Sequence, residues 1–421
     1  MSVDSTWAER ALHHARHIAI RIGPRGAATP EEKRTADYIQ RQMQLLGLHD
    51  VRVETFSGPI AGWLPITIIF SMAVWSVFAC WSLYYLIQGR LSGTNVAQNE
   101  QATQAGLPGA VVAAGLCILA LVFLFLELTL RDHPLRRLGV RGRSHNVIGR
   151  IAPTRTVGQR VVLISQLDTP PATAVFKTPR RTRLFRMVFY LGAASLAGSV
   201  ILYLIGGLNI WEWAFVFAGI FGMLQSAVII QSLRADHGEF TPGANFNASG
   251  LGTVLALAER VRGTPLQNTE VWIACCGSHI AGSNGLRRLL RQYASDLGNA
   301  WLIGFEGVGV GDRVVTINRE GWLHRSVHPE IRKLIERTNK AHPDRQIEAR
   351  ATPWNTVVAA ATWRGYKSTC LSVYAKHNEI PYAYTQADTV EHLQLSALHV
   401  AQEFGWQLLQ EIDRGQITGE G

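Results

Sequence analysis

Few residues in this chain are equipped for chemistry, and most of them sit at the ends of short apolar runs. Ser278 and His279 are adjacent, a hydroxyl beside an imidazole. Neighbours on a strand point to opposite faces, so this pair is not expected to work as nucleophile and base. His13 and His17 are spaced i, i+4 on a first helix, as two metal ligands can be, but no acid accompanies them and they read as a surface pair. Gly307-Val-Gly-Val-Gly-Asp follows a strand-like run, yet it lacks the Lys-Ser/Thr ending and the helix opening of a phosphate loop. Thr241-Pro-Gly-Ala-Asn-Phe-Asn-Ala-Ser-Gly-Leu-Gly reads as a tight turn feeding a helix N-terminus. Asn247 within it begins an Asn-Ala-Ser sequon, and an N-cap role before a helix over 248–261 is the better reading. Cys80 and Cys117 lie in long apolar segments, and Cys275, Cys276 and Cys370 in apparent strands. They show neither metal spacing nor a disulfide framework, which points to a reducing compartment.

The elements that must position these residues alternate. An amphipathic helix is expected over 30–46, with Ala36, Ile39, Met43 and Leu46 on one face. Strands are expected over 51–56, 146–151, 160–167, 270–276, 300–305, 313–318 and 368–374. Helices are expected over 248–261, 284–297, 329–341, 356–363 and 396–412. Such alternation predicts an α/β sandwich around a mixed sheet. No repeats occur, and Thr418-Gly-Glu-Gly reads as a frayed tail.

Apolar residues make up 47% of the 421 and charged residues 17%. The apolar excess is concentrated in segments 63–87, 107–130, 187–208 and 214–230, near the ~20 residues that cross a bilayer. Trp63, Trp75, Trp81, Tyr84, Tyr85, Tyr203, Trp211 and Trp213 lie mostly near their ends, as interfacial aromatics should. The segments form two hairpins whose joining loops carry one basic residue, Arg90. The opposite flanks carry Arg131, Arg136, Arg137, Arg141 and Arg143, then Lys177, Arg180, Arg181, Arg183 and Arg186. The positive-inside rule makes that side cytoplasmic. The expectation is a multi-pass cell-membrane protein with four transmembrane helices and the remaining polar sequence in one cytoplasmic domain. The N-terminus has no apolar core and does not read as a signal peptide. The net charge of +10 sits largely beside the membrane and calls for anionic lipid headgroups rather than nucleic acid.

Six motifs, in order, resemble the M28 family of zinc aminopeptidases. Asn146-Val-Ile-Gly-Arg-Ile and Val161-Val-Leu-Ile-Ser-Gln-Leu-Asp resemble its N-V-I and H-x-D strands. The Pro242-Gly-Ala-Asn-Phe-Asn-Ala-Ser-Gly turn resembles its P-G-A-D-D-N-A-S-G signature. Val271-Trp-Ile-Ala-Cys-Cys-Gly-Ser-His resembles the strand ending in a Glu-Glu pair, and Trp301-Leu-Ile-Gly-Phe-Glu-Gly the strand with an acidic ligand. Tyr384-Thr-Gln-Ala-Asp-Thr resembles the closing H-T-x-x-D-T. Arg21-Ile-Gly-Pro-Arg-Gly, Ala36-Asp-Tyr-Ile and Leu45-Leu-Gly look like the family's opening helices. The resemblance implies an M28 peptidase-like three-layer sandwich, interrupted by the two transmembrane hairpins. The implied boundaries are 1–58, 132–185 and 235–421 for the sandwich, with hairpins at 59–131 and 186–234.

The resemblance also implies a site, and there the chemistry changes. The first His ligand falls at Gln166, the bridging Asp at Asn245 and the adjacent Asp at Phe246. The general base falls at Ser278, the Glu ligand at His279, the acidic ligand at Glu306 and the last His at Tyr384. Asp168 and Asp388 match acids that orient ligands in the family, or else satisfy backbone donors, the reading preferred here. Zinc is held by thiolate, imidazole and carboxylate, so amides at 166 and 245 are poor ligands. Ser278 has no partner that would make it a base. The expectation is a catalytically inactive domain with no cofactor, whose cleft of Gln166, Asp168, Asn245, Phe246, His279, Glu306, Tyr384 and Asp388 binds a peptide segment. Equally, the hairpins are the working surface, packing against another membrane protein as an accessory subunit does. The alternative is an active zinc metallopeptidase with a non-standard or single-metal site on His279 and Glu306.

Overall fold

The computed structural model describes residues 3–91, 98–211, 213–342, 347–375 and 379–415, so part of the first hairpin's joining loop and the tail at 418–421 lie outside the described residues. The chain runs α1 (Val3–Arg16), a π-helical turn (His17–Ile22), α2 (Pro30–Leu45), β1 (His49–Pro59), α3 (Leu64–Leu91) and α4 (Gln98–Leu128). It continues through β2 (Arg141–Ile151), β3 (Gln159–Gln166), α5 (Pro179–Gly207), α6 (Ala214–Asp236), a second π-helical turn (Ala244–Ala248), α7 (Ser249–Gly263) and β4 (Thr269–Cys276). It ends with α8 (Asn284–Gln292), α9 (Ala294–Leu297), β5 (Trp301–Phe305), β6 (Arg313–Glu320), β7 (Arg325–Ser326), α10 (Pro329–Ala341), β8 (Glu348–Ala351), α11 (Ala359–Thr362), β9 (Lys367–Tyr374) and α12 (Leu395–Arg414).

Two compact units result: one of Met1–Gly62, Val140–Ala172 and Glu239–Gly421, the other of Trp63–Gly139 and Thr173–Gly238. The boundaries expected after 58, 131, 185 and 234 fall instead after 62, 139, 172 and 238, and three of the four give the helices longer flanks. Trp63 N–H is held by the Asp236 carboxylate at 3.0 Å, and His133 and Arg136 both dock on Glu127, at 2.7 and 2.8 Å. Those polar locks keep the helix flanks with the helices. They also bury Arg136.

The first unit is built on a sheet ordered β1-β2-β4-β3-β5-β9-β6-β7, with β8 beside β6. Strands β4, β3, β5 and β9 are mutually parallel, and β1, β2, β6 and β7 join antiparallel. The central strand β3 is apolar and buried on both faces, as a covered parallel strand must be. Val161 and Leu163 enter the core with Ile39 and Met43 of α2, Leu255 of α7 and Leu408 of α12. Val162 and Ile164 alternate to the other face, where Val357 and Val358 close on Gly304. Helix α7 lies so close to the β5 end that a Cβ on Gly250 would stand 2.3 Å from the Phe305 carbonyl.

Some expected elements change. The helix expected over 284–297 breaks at Tyr293, whose hydroxyl is anchored on Glu54 and whose ring meets Trp272 edge-on. The one expected over 356–363 shrinks to α11, because Thr356 and Val357 are held by buried carboxylates in the turn that precedes it. The edge strands β7 and β8 are too short for a periodic signal.

In the second unit, α3, α4, α5 and α6 are each long and apolar enough to cross a membrane. Trp75, Val111, Ile118, Phe125, Ile201 and Met223 face outward. Polar groups turn inward and pair: Ser76 Oγ with Tyr203 OH at 2.9 Å and with Cys117 Sγ at 3.2 Å, and Gln225 Nε2 donating to Ser199 Oγ at 3.1 Å. Tyr203, expected at a membrane interface, is instead buried inside the bundle.

Candidate functional site

The predicted site residues gather at the carboxyl ends of the parallel strands, where a sheet of this kind places its ligands. Gln166 ends β3 opposite Cys276 of β4. Ile164 pairs with Gly304, so two residues on Gln166 and Glu306 fall on one face of the sheet. The Gln166 side chain is fully buried, and neither Oε1 nor Nε2 has a partner among the described residues. Its backbone carbonyl accepts from Asn247 Nδ2 at 2.6 Å, and the Asp168 carbonyl accepts from the same group at 3.0 Å.

Asn247 is therefore not an N-cap. Its side chain ties the β3 end to Arg25, whose Nε and Nη2 donate to Asn247 Oδ1 at 3.1 and 2.7 Å. Helix α7 instead continues directly from the π-helical turn, with Ala248 in helical conformation before it. The remaining Arg25 donors go to the carbonyls of Gly23, Pro242 and Gly243. Burial pulls this guanidinium down to about 9, still protonated at neutral pH, and the charges of Asp388 and Asp168 act the other way.

Both aspartates hold loops. Asp168 accepts His279 N–H at 2.8 Å and Ile280 N–H at 2.9 Å. Asp388 accepts Asn245 N–H at 2.6 Å and Phe246 N–H at 3.1 Å. Burial raises both carboxyls, Asp388 to about 6, and the Glu32 charge pushes Asp168 in the same direction. Both polar atoms of the Asn245 side chain are paired: Oδ1 accepts Gly309 N–H at 2.8 Å and Nδ2 donates to the Pro381 carbonyl at 3.0 Å. In the glycine-rich segment, Val308 N–H goes to Ser249 Oγ and Gly311 N–H to Gln394, so these amides are already paired within the chain rather than left for a phosphate.

Ser278 and His279 lie past the end of β4, not on it as expected. Ser278 adopts a left-handed φ of 50°. Its hydroxyl donates to the Pro59 carbonyl at 3.4 Å and accepts from Asn284 at 3.2 Å, while His279 Nδ1 lies 3.3 Å from Ser283 Oγ. The two side chains fail to pair because each has a different neighbour. Burial lowers His279 to about 4, a neutral imidazole.

Glu306 follows β5, and its carboxyl accepts Val357 N–H at 3.0 Å. Burial, with the charge of Glu320 adding to it, lifts Glu306 to about 8. Glu320 itself accepts Thr356 N–H at 3.0 Å and the hydroxyls of Thr356 and Thr362, fixing the segment ahead of α11. Tyr384 is half-buried at φ 61°, with its hydroxyl raised by burial and by the charges of Glu306 and Asp168. Its ring meets Phe246 at 5.2 Å and Trp354 at 6.4 Å, and Trp354 meets Trp322 edge-on at 5.5 Å. Among the described residues no three His, Cys, Asp or Glu groups form a metal-holding set. His13 is exposed, and His17 stacks on Tyr38 at 4.3 Å.

No protein-family profile and no curated protein matches the sequence. Solved structures do match the fold. A glutaminyl cyclase from Bacteroides thetaiotaomicron bound to N-acetylhistamine aligns with a TM-score of 0.53 at 14% identity, covering 95% of this chain and 96% of that one. The fold is M28-like. A Zn-dependent exopeptidase from Parabacteroides distasonis gives 0.53 at 13% identity, with 96% and 97% covered. BSAP, a zinc aminopeptidase from Bacillus subtilis, gives 0.53 at 13%, with 96% and 94% covered. At such identities the likeness speaks for the fold alone. Within this M28-like fold, sequence reasoning missed Arg25, Asn247 as a cross-link, Glu320 and Trp354. A basic residue in the Gly-Pro-Arg-Gly turn was the one available signal.

Proposed function

We propose that this protein is a membrane-anchored, M28-like domain that acts by binding rather than by zinc hydrolysis, as an accessory subunit of a membrane complex. The observation that carries the reading is the Asn245 side chain. At the position where the resemblance puts a bridging carboxylate, both its polar atoms cross-link Gly309 and Pro381. The other residues point the same way. Gln166 offers an amide, Ser278 holds Pro59 and Asn284, and Tyr384 presents a phenol whose ionisation burial opposes. Only Glu306 and His279 keep ligand chemistry, and one carboxyl with one imidazole is too little charge to compensate two zinc ions. The donor set does not fit a two-zinc centre.

The four apolar helices anchor the chain, and the basic flanks favour a cytoplasmic side for the M28-like unit. Purification in a mild detergent tests the accessory role. A defined membrane protein should co-purify at constant ratio, and a chain that always runs alone contradicts it. Zinc analysis of the same preparation tests the loss of metal chemistry.

A further inference from the structure

At the opposite end of the sheet from the cleft, where β3, β5 and β9 begin, lies a cavity of about 770 Å³. That is the size of a small-molecule site. It is lined by Gln159, Trp301 and Lys367, the first residue of each strand, and by one side of α10 and the end of α12. It shares no residue with the cleft at the carboxyl ends. Trp301 Nε1 donates to Gln159 Oε1 at 2.6 Å, and Lys367 Nζ lies 4.9 Å from the centre of the Trp301 ring.

Most of the cavity's acids are already matched. Glu330 meets Lys367 at 2.7 Å, Asp296 lies 3.7 Å from Arg160, and Glu411 takes Arg414 at 3.0 Å. What remains on α10 is Lys333, Arg337 and Lys340, with Glu336 among them. None of these four side chains makes a hydrogen bond or ion pair among the described residues. Three cations against one acid leave the cavity with an uncompensated positive charge. Lys333 and Arg337 are four residues apart and Arg337 and Lys340 three, so like charges are neighbours on the helix surface. That repulsion adds nothing to the fold, because Ile331, Leu334 and Ile335 seat the other side of α10 on the core. Helix-dipole complementarity accounts for Lys340, in the last turn of α10, and leaves Lys333 and Arg337.

We propose that this cavity binds a small anion built of linked phosphate groups, held by Lys333, Arg337 and Lys340. Lys333 and Lys340 stand about 10.5 Å apart along the helix axis at 1.5 Å per residue, farther than a single phosphate reaches. A guanidinium between two ammonium groups suits successive phosphates. Its planar fork takes one bidentately, and each lysine acts as a point charge on a neighbour.

Calorimetric titration of the full chain in a nonionic detergent, in metal-free buffer at physiological ionic strength, tests this with orthophosphate, pyrophosphate, tripolyphosphate and citrate. Pyrophosphate and tripolyphosphate should each bind at least tenfold more tightly than orthophosphate or citrate. Lys333→Gln combined with Arg337→Gln should weaken pyrophosphate at least tenfold. The thermal midpoint of the ligand-free double variant should hold or rise, since like charges are gone. Arg41→Gln, at an exposed position of α2 that does not line the cavity, should change neither. In nanodiscs, competition of pyrophosphate by a bisphosphorylated inositol lipid assigns the phosphates to a headgroup, and lack of competition to a soluble compound. No binding of pyrophosphate, equal binding of orthophosphate or citrate, or unchanged affinity in the double variant overturns the proposal. None of these outcomes bears on zinc at the cleft, so the two readings fail separately.

Discussion

Asn245 accepts the Gly309 N–H through Oδ1 at 2.8 Å, joining the turn before α7 to the loop after β5. The same amide donates to Pro381 at 3.0 Å, so an aspartate there would lose a donor and face a carbonyl oxygen. Restoring the carboxylate by Asn245→Asp is therefore expected to destabilise the protein by about 2–3 kcal/mol and to bring no zinc. Urea denaturation and metal analysis of the variant check both halves.

Arg25 is expected to be the most sensitive residue outside the predicted cleft. It is fully buried, and its donors reach three carbonyls and Asn247. Arg25→Ala should cost about 3–5 kcal/mol. Arg25→Lys should not rescue it, because one ammonium cannot span the planar fork of acceptors. Thermal midpoints of the two variants would show this.

Glu306 and His279 should give opposite pH dependences. Burial raises Glu306 from 4.5 to about 8, so its contribution is full below 4.5 and lost as pH rises toward 8. His279 is lowered from 6.5 to about 4, so its contribution is full above 6.5 and lost as pH falls toward 4. Glu306→Gln should flatten the alkaline side of the stability profile, where each tenfold difference in proton affinity is worth roughly 1.4 kcal/mol. His279→Asn should flatten the acid side. Denaturation at a series of pH values separates the two.

Orientation in the membrane is open to a labelling test. The five native cysteines are all buried. A membrane-impermeant thiol reagent added to intact cells should label Asn209→Cys, in the exposed link between α5 and α6, and spare Asn299→Cys on the M28-like unit. The reverse pattern would invert the topology.

The four long apolar helices were the most legible part of the sequence, because unbroken apolar length is a local signal. The strands around Val161 and Val271 were nearly as clear, since β-branched runs in covered strands need no alternation. Less legible was everything fixed by one long-range polar contact. Asn247 looks like a cap from its neighbours, yet its partners are Gln166, Asp168 and Arg25, 79 to 222 residues away. The turn before α11 is likewise held by Glu306 and Glu320, whose reach no helical periodicity reports. The strand ends placed the site residues together, but only the folded chain shows Asn245 committed to Gly309 and Pro381.

Metal stoichiometry tests the central claim most directly. The full chain, purified without chelators and dialysed against zinc-buffered solution, is analysed for zinc beside its Glu306→Ala variant. The absence of a two-zinc site predicts far less than one zinc per chain and no difference between the two proteins. Near-stoichiometric zinc in the native chain that disappears in Glu306→Ala would contradict it.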